Sequence, residues 1–157
     1  MKDIKKPNGN NLGGVIRFNF IDVNDVESIP DSIDDVVSEA VVLKEGAQWS
    51  CGYGTQFSIG YSEPTESTNA GTIYKKSFDA SCPQDCAENK NLFRLKRNKR
   101  FILDIYTSNG LRLLVGTIEE PLQFTSNLAT KTQMTELAGY VIKFYGDGSL
   151  PSPIYDI

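Results

Sequence analysis

Apolar and polar side chains alternate over several short stretches of the chain. Residues 16–20 read Ile-Arg-Phe-Asn-Phe, and residues 53–61 carry four apolar side chains on one side: Tyr53, Phe57, Ile59 and Tyr61. A period of two is the period of a half-buried β-strand. We expect residues 72–80 to pair with 53–61, and the polar segment 62–71 to form a long, mobile hairpin tip between them.

The strongest local pattern is FILDIYTSNGLRLLVGTI, residues 101–118. Asn109-Gly110 divides two apolar runs, and this dipeptide accepts the positive φ angles of a type I′ turn. The pattern predicts a tight hairpin of strands 101–107 and 111–118. Because apolar residues occupy both faces of this hairpin, we expect it to be covered on both sides. A last strand is predicted at GYVIKFYG, residues 139–146.

The one helix that the pattern predicts spans about residues 84–97. Ser81 or Asp85 suits its N-cap, and Pro83 suits a first turn. Basic side chains crowd its end, where they face the negative pole of the helix dipole. The predicted fold class is mainly β, an antiparallel β-sandwich or partly closed barrel with this single helix packed on it.

The length of 157 residues predicts a single domain, 1–157, with a substantial core. Residues 1–45 either belong to the sheet or form an extended arm or irregular segment. Residues 125–136 are polar and are predicted to form a second long loop. Residues 150–157 are predicted to form an extended tail, held by two prolines, whose apolar side chains need a place to dock.

Composition favours a protein that is made in the cytoplasm and has no membrane partner. No run of about 18 apolar residues occurs, and the first 14 residues are polar where a signal peptide would carry an apolar block. The three cysteines are an odd number, and no Asn-x-Ser/Thr acceptor is present, which fits a reducing compartment.

The chain contains no histidine. This removes the commonest general base and excludes a Ser-His-Asp triad, a Cys-His dyad and a histidine-ligated zinc site within the chain. The adjacent acids Glu119-Glu120 and Asp34-Asp35 remain candidates for acid-base chemistry, but neighbouring surface acids are usually only solvated. We therefore expect no enzymatic activity, no catalytic residues and no cofactor.

Cys82 and Cys86 lie about one helical turn apart at the start of the predicted helix. A metal ion there would need two further ligands, for which only Cys51 and carboxylates remain, so the C-x-x-x-C spacing is a weak metal motif. Buried thiols that pack as small apolar side chains are the favoured interpretation, and we expect no metal site.

Charge is segregated along the chain, although the net charge is only −4. Residues 90–100 carry six basic and no acidic side chains, whereas residues 18–43 carry seven acidic and no basic ones. Each segment is interpretable as a solvated face. A nucleic-acid site is less favoured, because the chain is acidic overall and no stacking platform adjoins the basic residues.

The third interpretation of the charges is a contact between copies of the chain. Opposite charges on one small domain suit a head-to-tail contact that closes a ring. We expect the acidic segment to be flexible enough to reach the basic cluster of a neighbour. The candidate contact residues are Arg94, Lys96, Arg97, Lys99 and Arg100 on the basic side and Asp31, Asp34 and Asp35 on the acidic side.

Residues 50–157 resemble virion proteins of tailed bacteriophages, of the neck-ring, tail-tube and tail-terminator type, and small proteins of phages and prophages of Bacteroides-type bacteria. The residues that carry the resemblance are Arg112-Leu113-Leu114, Gly116-Thr117, Pro121-Leu122, Gly139-Tyr140 and Tyr155. The resemblance implies a structural protein of the virion: a homo-oligomeric ring at the head-tail connector or in the tail. Implied partners are neighbouring ring or portal proteins, and DNA that passes through the channel without sequence-specific binding.

The alternative is a small β-sandwich module that binds a carbohydrate or protein ligand through exposed aromatic side chains. Candidates for such contacts are Trp49, Tyr53 and Tyr74. Trp49 is better explained as a core residue, because a single large aromatic side chain is usually buried in a domain of this size.

Overall fold

Antiparallel strands make up most of the chain that the computed structural model describes, which is residues 13–83, 87–129 and 139–157. The strands, in chain order, are β1 (Val15–Asp22), β2 (Val26–Ser28), β3 (Val36–Val37), β4 (Val42–Leu43), β5 (Ser50–Cys51), β6 (Gly60–Ser62), β7 (Thr65–Thr68), β8 (Gly71–Pro83), β9 (Arg100–Thr107), β10 (Arg112–Val115), β11 (Leu122–Ala129), β12 (Gly139–Gly148) and β13 (Ile154–Tyr155). The helical elements of these residues are one α-helix, α1 (Ala87–Lys96), and a 3₁₀ turn, Val23–Asp25. The predicted mainly-β class with one α-helix is confirmed.

Strand β9 is the centre of the main sheet. It pairs with β1 along one edge, and with β10 and β11 along the other. Beyond β11 the sheet continues through β12 and β8 to β6, and beyond β10 it continues through β13 to β3. Because β11 joins β9 through only two residue pairs, the sheet bends there into two facing layers that are not closed into a barrel.

Aromatic side chains fill the space between the two layers. The ring of Phe18 from β1 lies 4.6 Å from that of Phe78 on β8, measured between centroids. The ring of Phe101 from β9 lies 5.5 Å from that of Phe144 on β12. All four rings are buried, and their tilted or edge-on contacts are the geometry that aromatic pairs prefer.

Helix α1 extends this aromatic core with Phe93, whose ring lies 4.9 Å from that of Tyr140. The helix ends at Lys96, one residue before the predicted end. Residues 84–86, which include the predicted cap Asp85, lie outside the described residues. Ser81 and Pro83 do not start the helix as expected, because both belong to β8 and pair with β12.

A second apolar cluster covers the opposite face of β1, β9 and β10. Its buried members are Ile21, Val26, Val37, Val41, Ile102, Leu114 and Tyr155. Half-buried Trp49 packs against this cluster. Strands β9 and β10, which form the predicted hairpin, are therefore covered on both faces, as their apolar pattern predicted.

Residues 15–43 supply four strands and much of the second cluster, so this part of the first 45 residues is built into the domain and is not an arm. Residues 1–12 lie outside the described residues. The C-terminal tail docks on the same cluster: the backbone N–H of Val41 donates to the Tyr155 hydroxyl at 3.0 Å, and β13 pairs with both β10 and β3.

The predicted hairpin is present, but its turn differs from the predicted type I′. The N–H of Gly110 donates to the Thr107 carbonyl at 3.0 Å, which makes Ser108 and Asn109 the central residues of the turn. Only Gly110 has a positive φ angle in this turn, of 80°. The three-residue loop, a turn followed by a left-handed glycine, is a common alternative hairpin connection.

The predicted strand 53–61 is wrong over most of its length. Only Gly60–Ser62 is a strand, because a turn at Thr55–Ser58 interrupts the alternation. The polar segment 62–71 is not a loop throughout, since β7 pairs with the start of β8 around a two-residue turn. Polar residues 125–129 likewise continue β11 and pair with β12.

The face of β9 that the second cluster covers also carries a buried ion pair. Asp104 is 1% exposed and accepts two hydrogen bonds from the Arg112 guanidinium, at 2.7 and 2.9 Å, and one from the Asn19 amide at 3.0 Å. The hydrogen bond to Asp104 raises the pKa of Arg112 above its ordinary value. The guanidinium also stacks on the ring of Tyr155, 4.4 Å from its centroid. The pair thus ties β1, β9, β10 and β13 together.

Helix α1 has ten residues and is about 15 Å long, half the thickness of a bilayer's hydrocarbon core. Across the described ranges, no helix has the length and apolarity of a membrane span.

We predict that Arg112→Leu lowers the free energy of unfolding by about 3 kcal/mol, because it leaves the Asp104 carboxylate buried without its charge partner. The double variant Asp104→Leu/Arg112→Leu should lose less, since no buried charge then remains. Urea denaturation measures both. As a control, breaking the exposed Lys75–Glu66 pair with Glu66→Gln should change the free energy of unfolding far less than Arg112→Leu does. Equal losses for the single and double variants would contradict this account.

Candidate interaction surfaces

The predicted basic cluster lies at the C-terminal end of α1 and in the turn to β9. Two of its members act within the subunit. The Lys96 ammonium lies 3.5 Å from the centroid of the Phe20 ring, and its side chain is half-buried. Burial, aided by the neighbouring charge of Lys99, lowers the pKa of Lys96 to about 8.

Lys99 forms an ion pair with buried Asp22, with 2.7 Å between Nζ and Oδ2. Burial alone would raise the pKa of Asp22, but hydrogen bonds from Lys99 and Asn24 outweigh burial and lower it. The hydrogen bond to Asp22 raises the pKa of Lys99. The acidic and basic segments therefore already meet at one point inside the subunit, and Lys99 is not free for an external contact.

The three arginines of the cluster are exposed and have no carboxylate partner in the described part of the chain. Arg94 donates to the Asn91 side chain at 3.1 Å, and Arg100 donates to the Lys99 carbonyl at 3.4 Å. Both bonds are short-range and solvent-exposed. Arg94, Arg97 and Arg100 thus remain available to an external anion.

A groove with apolar and charged walls runs along α1. Phe20, Leu92 and Leu95 line it, its volume is about 470 Å³, and its far wall includes Gln48 and Ser50. Phe20 and Leu92 also line a smaller cavity of about 180 Å³ that reaches into the aromatic core, so the two spaces adjoin. We call the larger space the α1 groove.

The predicted acidic residues lie on a tight turn before β3. Ile33 and Val36 exchange two backbone hydrogen bonds, at 2.9 and 3.0 Å, and the two residues between them, Asp34 and Asp35, have φ angles of 52° and 62°. Positive φ at both central positions is the signature of a type I′ turn. We call Asp31–Val36 the acidic turn.

The acidic turn is not the flexible segment that the sequence suggested. The Asp35 carbonyl accepts a hydrogen bond from the N–H of Ile154 at 2.8 Å, and β3 continues the sheet beside β13. The side chains of Asp31, Asp34 and Asp35 are exposed and form no ion pair in the described chain. The sheet therefore presents three unpaired carboxylates on a hydrogen-bonded turn.

An exposed aromatic side chain lies at a third place, the turn Thr55–Ser58. Phe57 is 95% exposed and has a φ angle of 64°, which a bulky side chain rarely adopts. The turn is tied to β8 by a hydrogen bond from the N–H of Thr55 to the Ser81 carbonyl, at 2.7 Å. Tyr53, 69% exposed, lines the same surface hollow as Phe57.

A buried lysine occupies a cavity of about 420 Å³ behind the acidic turn. Lys76 is 4% exposed. Burial lowers its pKa, against the opposing charges of Glu63 and Glu120. Those two carboxylates accept backbone N–H groups of Ser152 and Ser149 respectively, so they fix the loop before β13.

One member of the acid pair Glu119-Glu120 and both members of the pair Asp34-Asp35, which the sequence offered for catalysis, have structural roles. Glu120 binds the backbone N–H of Ser149, while its neighbour Glu119 is exposed. Asp34 and Asp35 form the centre of the acidic turn.

Two of the three cysteines, Cys51 and Cys82, lie in the described part of the chain. Cys82 is buried, its thiol donates to the Tyr53 carbonyl at 3.0 Å, and burial raises its pKa. Cys51 is exposed, and Cys86 lies outside the described residues. Within the described ranges, no three His, Cys, Asp or Glu side chains cluster as metal ligands.

The sequence did not single out Ile33, Phe57, Leu92 or Leu95 as surface residues. Leu92 and Leu95 have the i, i+3 spacing of one helix face, and Ile33 is the lone apolar residue between acids. Neither pattern tells whether another element covers the side chain.

Comparisons with protein-family models, curated proteins and solved structures give no match for this chain.

We predict that the free energy of unfolding of the wild type, relative to that of Lys96→Met, rises between pH 7.5 and pH 9.5. In the folded chain Lys96 has a pKa of about 8, so it loses its proton across this window. In the unfolded chain its pKa is the ordinary 10.5, so it keeps the proton there. Unfolding free energy therefore rises with pH across this window in the wild type, and this contribution is absent from the variant. Urea denaturation at both pH values measures the difference, and a constant difference would contradict the lowered pKa.

We predict that Phe57→Asn raises the free energy of unfolding by about 0.5–1 kcal/mol. Asparagine tolerates positive φ better than phenylalanine does, and the exposed ring contributes no burial to lose. Phe57→Leu, which keeps the strain, should change stability little. A loss of more than about 1 kcal/mol for Phe57→Asn in thermal or urea unfolding would show that the ring stabilises the fold.

Proposed function

We propose that the protein is a structural subunit that assembles with copies of itself through opposite charges, as a ring in the virion of a tailed bacteriophage. The observation that carries the proposal is the pair of surfaces described above: unpaired arginines beside α1 and unpaired carboxylates on the acidic turn. The two surfaces belong to separate elements of the fold. A contact between them is head-to-tail, and such contacts close rings when the rotation permits.

The charge distribution supports this proposal over nucleic-acid binding. Exposed ion pairs each contribute only about 0.2–1 kcal/mol, but a ring repeats every pair around its circumference. A net charge of −4 suits a subunit around a DNA channel, because DNA passes an acidic wall without adhering to it. The resemblance of residues 50–157 to neck and tail proteins of phages points to the same role.

The proposal predicts that Arg94→Glu/Arg97→Glu/Arg100→Glu abolishes assembly and leaves the folded monomer intact. All three side chains are exposed, so the reversal replaces attraction by repulsion without disturbing a core. Sedimentation velocity measures assembly, and circular dichroism checks the fold. The matched control reverses three exposed lysines elsewhere, Lys44 just after β4, Lys75 on β8 and Lys143 on β12, which gives the same net charge.

A second variant in the same chain tests the acidic side. Asp31→Lys/Asp34→Lys/Asp35→Lys should partly restore assembly of the arginine variant. Restoration is partial because lysine tolerates the positive φ angles of Asp34 and Asp35 less well than aspartate does. Normal assembly of the arginine variant, or a loss of DNA binding alone, would refute the proposal.

Phe57 and Tyr53 favour a second candidate function, a module that binds a carbohydrate or protein ligand. An exposed ring held on a strained, hydrogen-bonded turn is a preformed stacking surface. Of the other aromatic candidates, Trp49 packs on the second cluster and Tyr74 is half-buried in β8. A strictly monomeric protein that loses ligand binding on Phe57→Asn would support this function instead.

A further inference from the structure

A cavity with apolar walls lies between α1 and the main sheet. It is the smaller of the two spaces beside the helix, with a volume of about 180 Å³, and we call it the inner cavity. Five phenylalanine rings contribute to its wall: Phe18, Phe20, Phe93, Phe124 and Phe144. Four of these rings are buried, and that of Phe20 is half-buried. Such a wall favours an apolar group over a hydrated one.

Lys96 is the one charged side chain among the described residues that line the inner cavity. Its ammonium lies over the ring of Phe20, 3.5 Å from the centroid, and both residues line the inner cavity as well as the α1 groove. The ammonium therefore lies where the two spaces adjoin, beside the phenylalanine wall.

This cation has no counter-ion among the described residues. Burial and the like charge of Lys99 both lower the pKa of Lys96, and no described carboxylate raises it. The pKa of Lys99, in contrast, is raised by its hydrogen bond to Asp22 and also by the charge of Asp25. The two acids that line the α1 groove thus act on Lys99 and leave Lys96 uncompensated.

The volume of the inner cavity matches that of one aromatic ring. An engineered protein cavity of about 150 Å³, lined by leucine, isoleucine and phenylalanine side chains, binds benzene. The inner cavity has a similar volume, and Leu92 and Ile142 complete its wall beside the rings. A planar ring suits this space better than a flexible chain does, because it loses less conformational entropy on binding and makes tilted or edge-on contacts with the protein rings.

We propose that the inner cavity binds a small aromatic carboxylate, with its ring among the phenylalanine side chains and its carboxylate on the Lys96 ammonium. The anion supplies the counter-ion that the subunit lacks there, through a charge-assisted hydrogen bond, which is stronger than a neutral one. This site goes beyond the proposed assembly and does not depend on it, since a single subunit supplies the residues that form it.

The first experiment titrates the protein with benzoate and with benzamide, its uncharged isostere, and follows the backbone amide signals by NMR. Benzoate should bind the wild type about tenfold more tightly than benzamide, because only benzoate pairs with Lys96. Lys96→Met keeps the apolar stem and should bind the two ligands equally. Lys143→Met, an exposed control on β12, should keep the preference for benzoate. Equal binding of both ligands to the wild type, or no binding of benzoate, would overturn the inference.

The second experiment locates the ligand with Leu92→Trp and Leu95→Trp. Both leucines are exposed on α1, at 45% and 61%, but Leu92 lines the inner cavity whereas Leu95 lines the α1 groove. Leu92→Trp should fill the cavity and weaken benzoate binding by about tenfold or more, while Leu95→Trp leaves it unchanged. Circular dichroism checks that both variants are folded. Equal affinities of the two variants for benzoate would overturn the inference.

Discussion

Burial of β9 on both of its faces is the constraint on which the rest of the structure depends. Phe101 and Leu103 face the aromatic core, while Ile102 and Asp104 face the second cluster. Two layers of cover are therefore needed, and the chain supplies them from distant segments: β8, β11 and β12 on one side, residues 21–43 and the C-terminal strand on the other. A buried carboxylate such as Asp104 is costly without a charge partner, and Arg112 on the adjacent strand β10 is that partner.

The position of the two candidate surfaces follows from this arrangement. The acidic turn is the connection that returns the chain to β3, and β3 is held at the sheet edge by the tail strand β13. The arginines stand where α1 ends and the chain enters β9. The arginines adjoin β9 directly, and the acidic turn is joined to β9 through β13 and β10 of the same sheet, so the sheet sets the relative orientation of the two surfaces.

The mainly-β class was predictable because its signals are local. Asn109-Gly110 between two apolar runs and the alternation in β1 each depend on a few neighbouring residues, and both predicted elements are present. The strand predicted at 53–61 failed because the turn at Thr55–Ser58 is tied to Ser81 on β8, a contact that lies 26 positions away. The loop predicted at 62–71 is partly a strand, because its polar residues pair with the long strand β8.

The charge clusters were predictable from the sequence, but the use of individual charges was not. Lys96 and Lys99 belong to the same basic run as Arg94 and Arg97, yet one packs on Phe20 and the other pairs with Asp22. Those partners lie more than 70 residues away along the chain, so no spacing within residues 90–100 reveals them. Exposure of Ile33, Leu92 and Leu95 likewise depends on which elements fail to cover them.

We propose that unpaired charges on separate surfaces join copies of this chain. Native mass spectrometry of the wild-type protein, across a series of protein concentrations and ammonium acetate strengths, tests that claim most directly. The account predicts oligomers larger than dimers at low ionic strength, which dissociate as added salt screens the contacts. A monomer at every concentration and every ionic strength would contradict it.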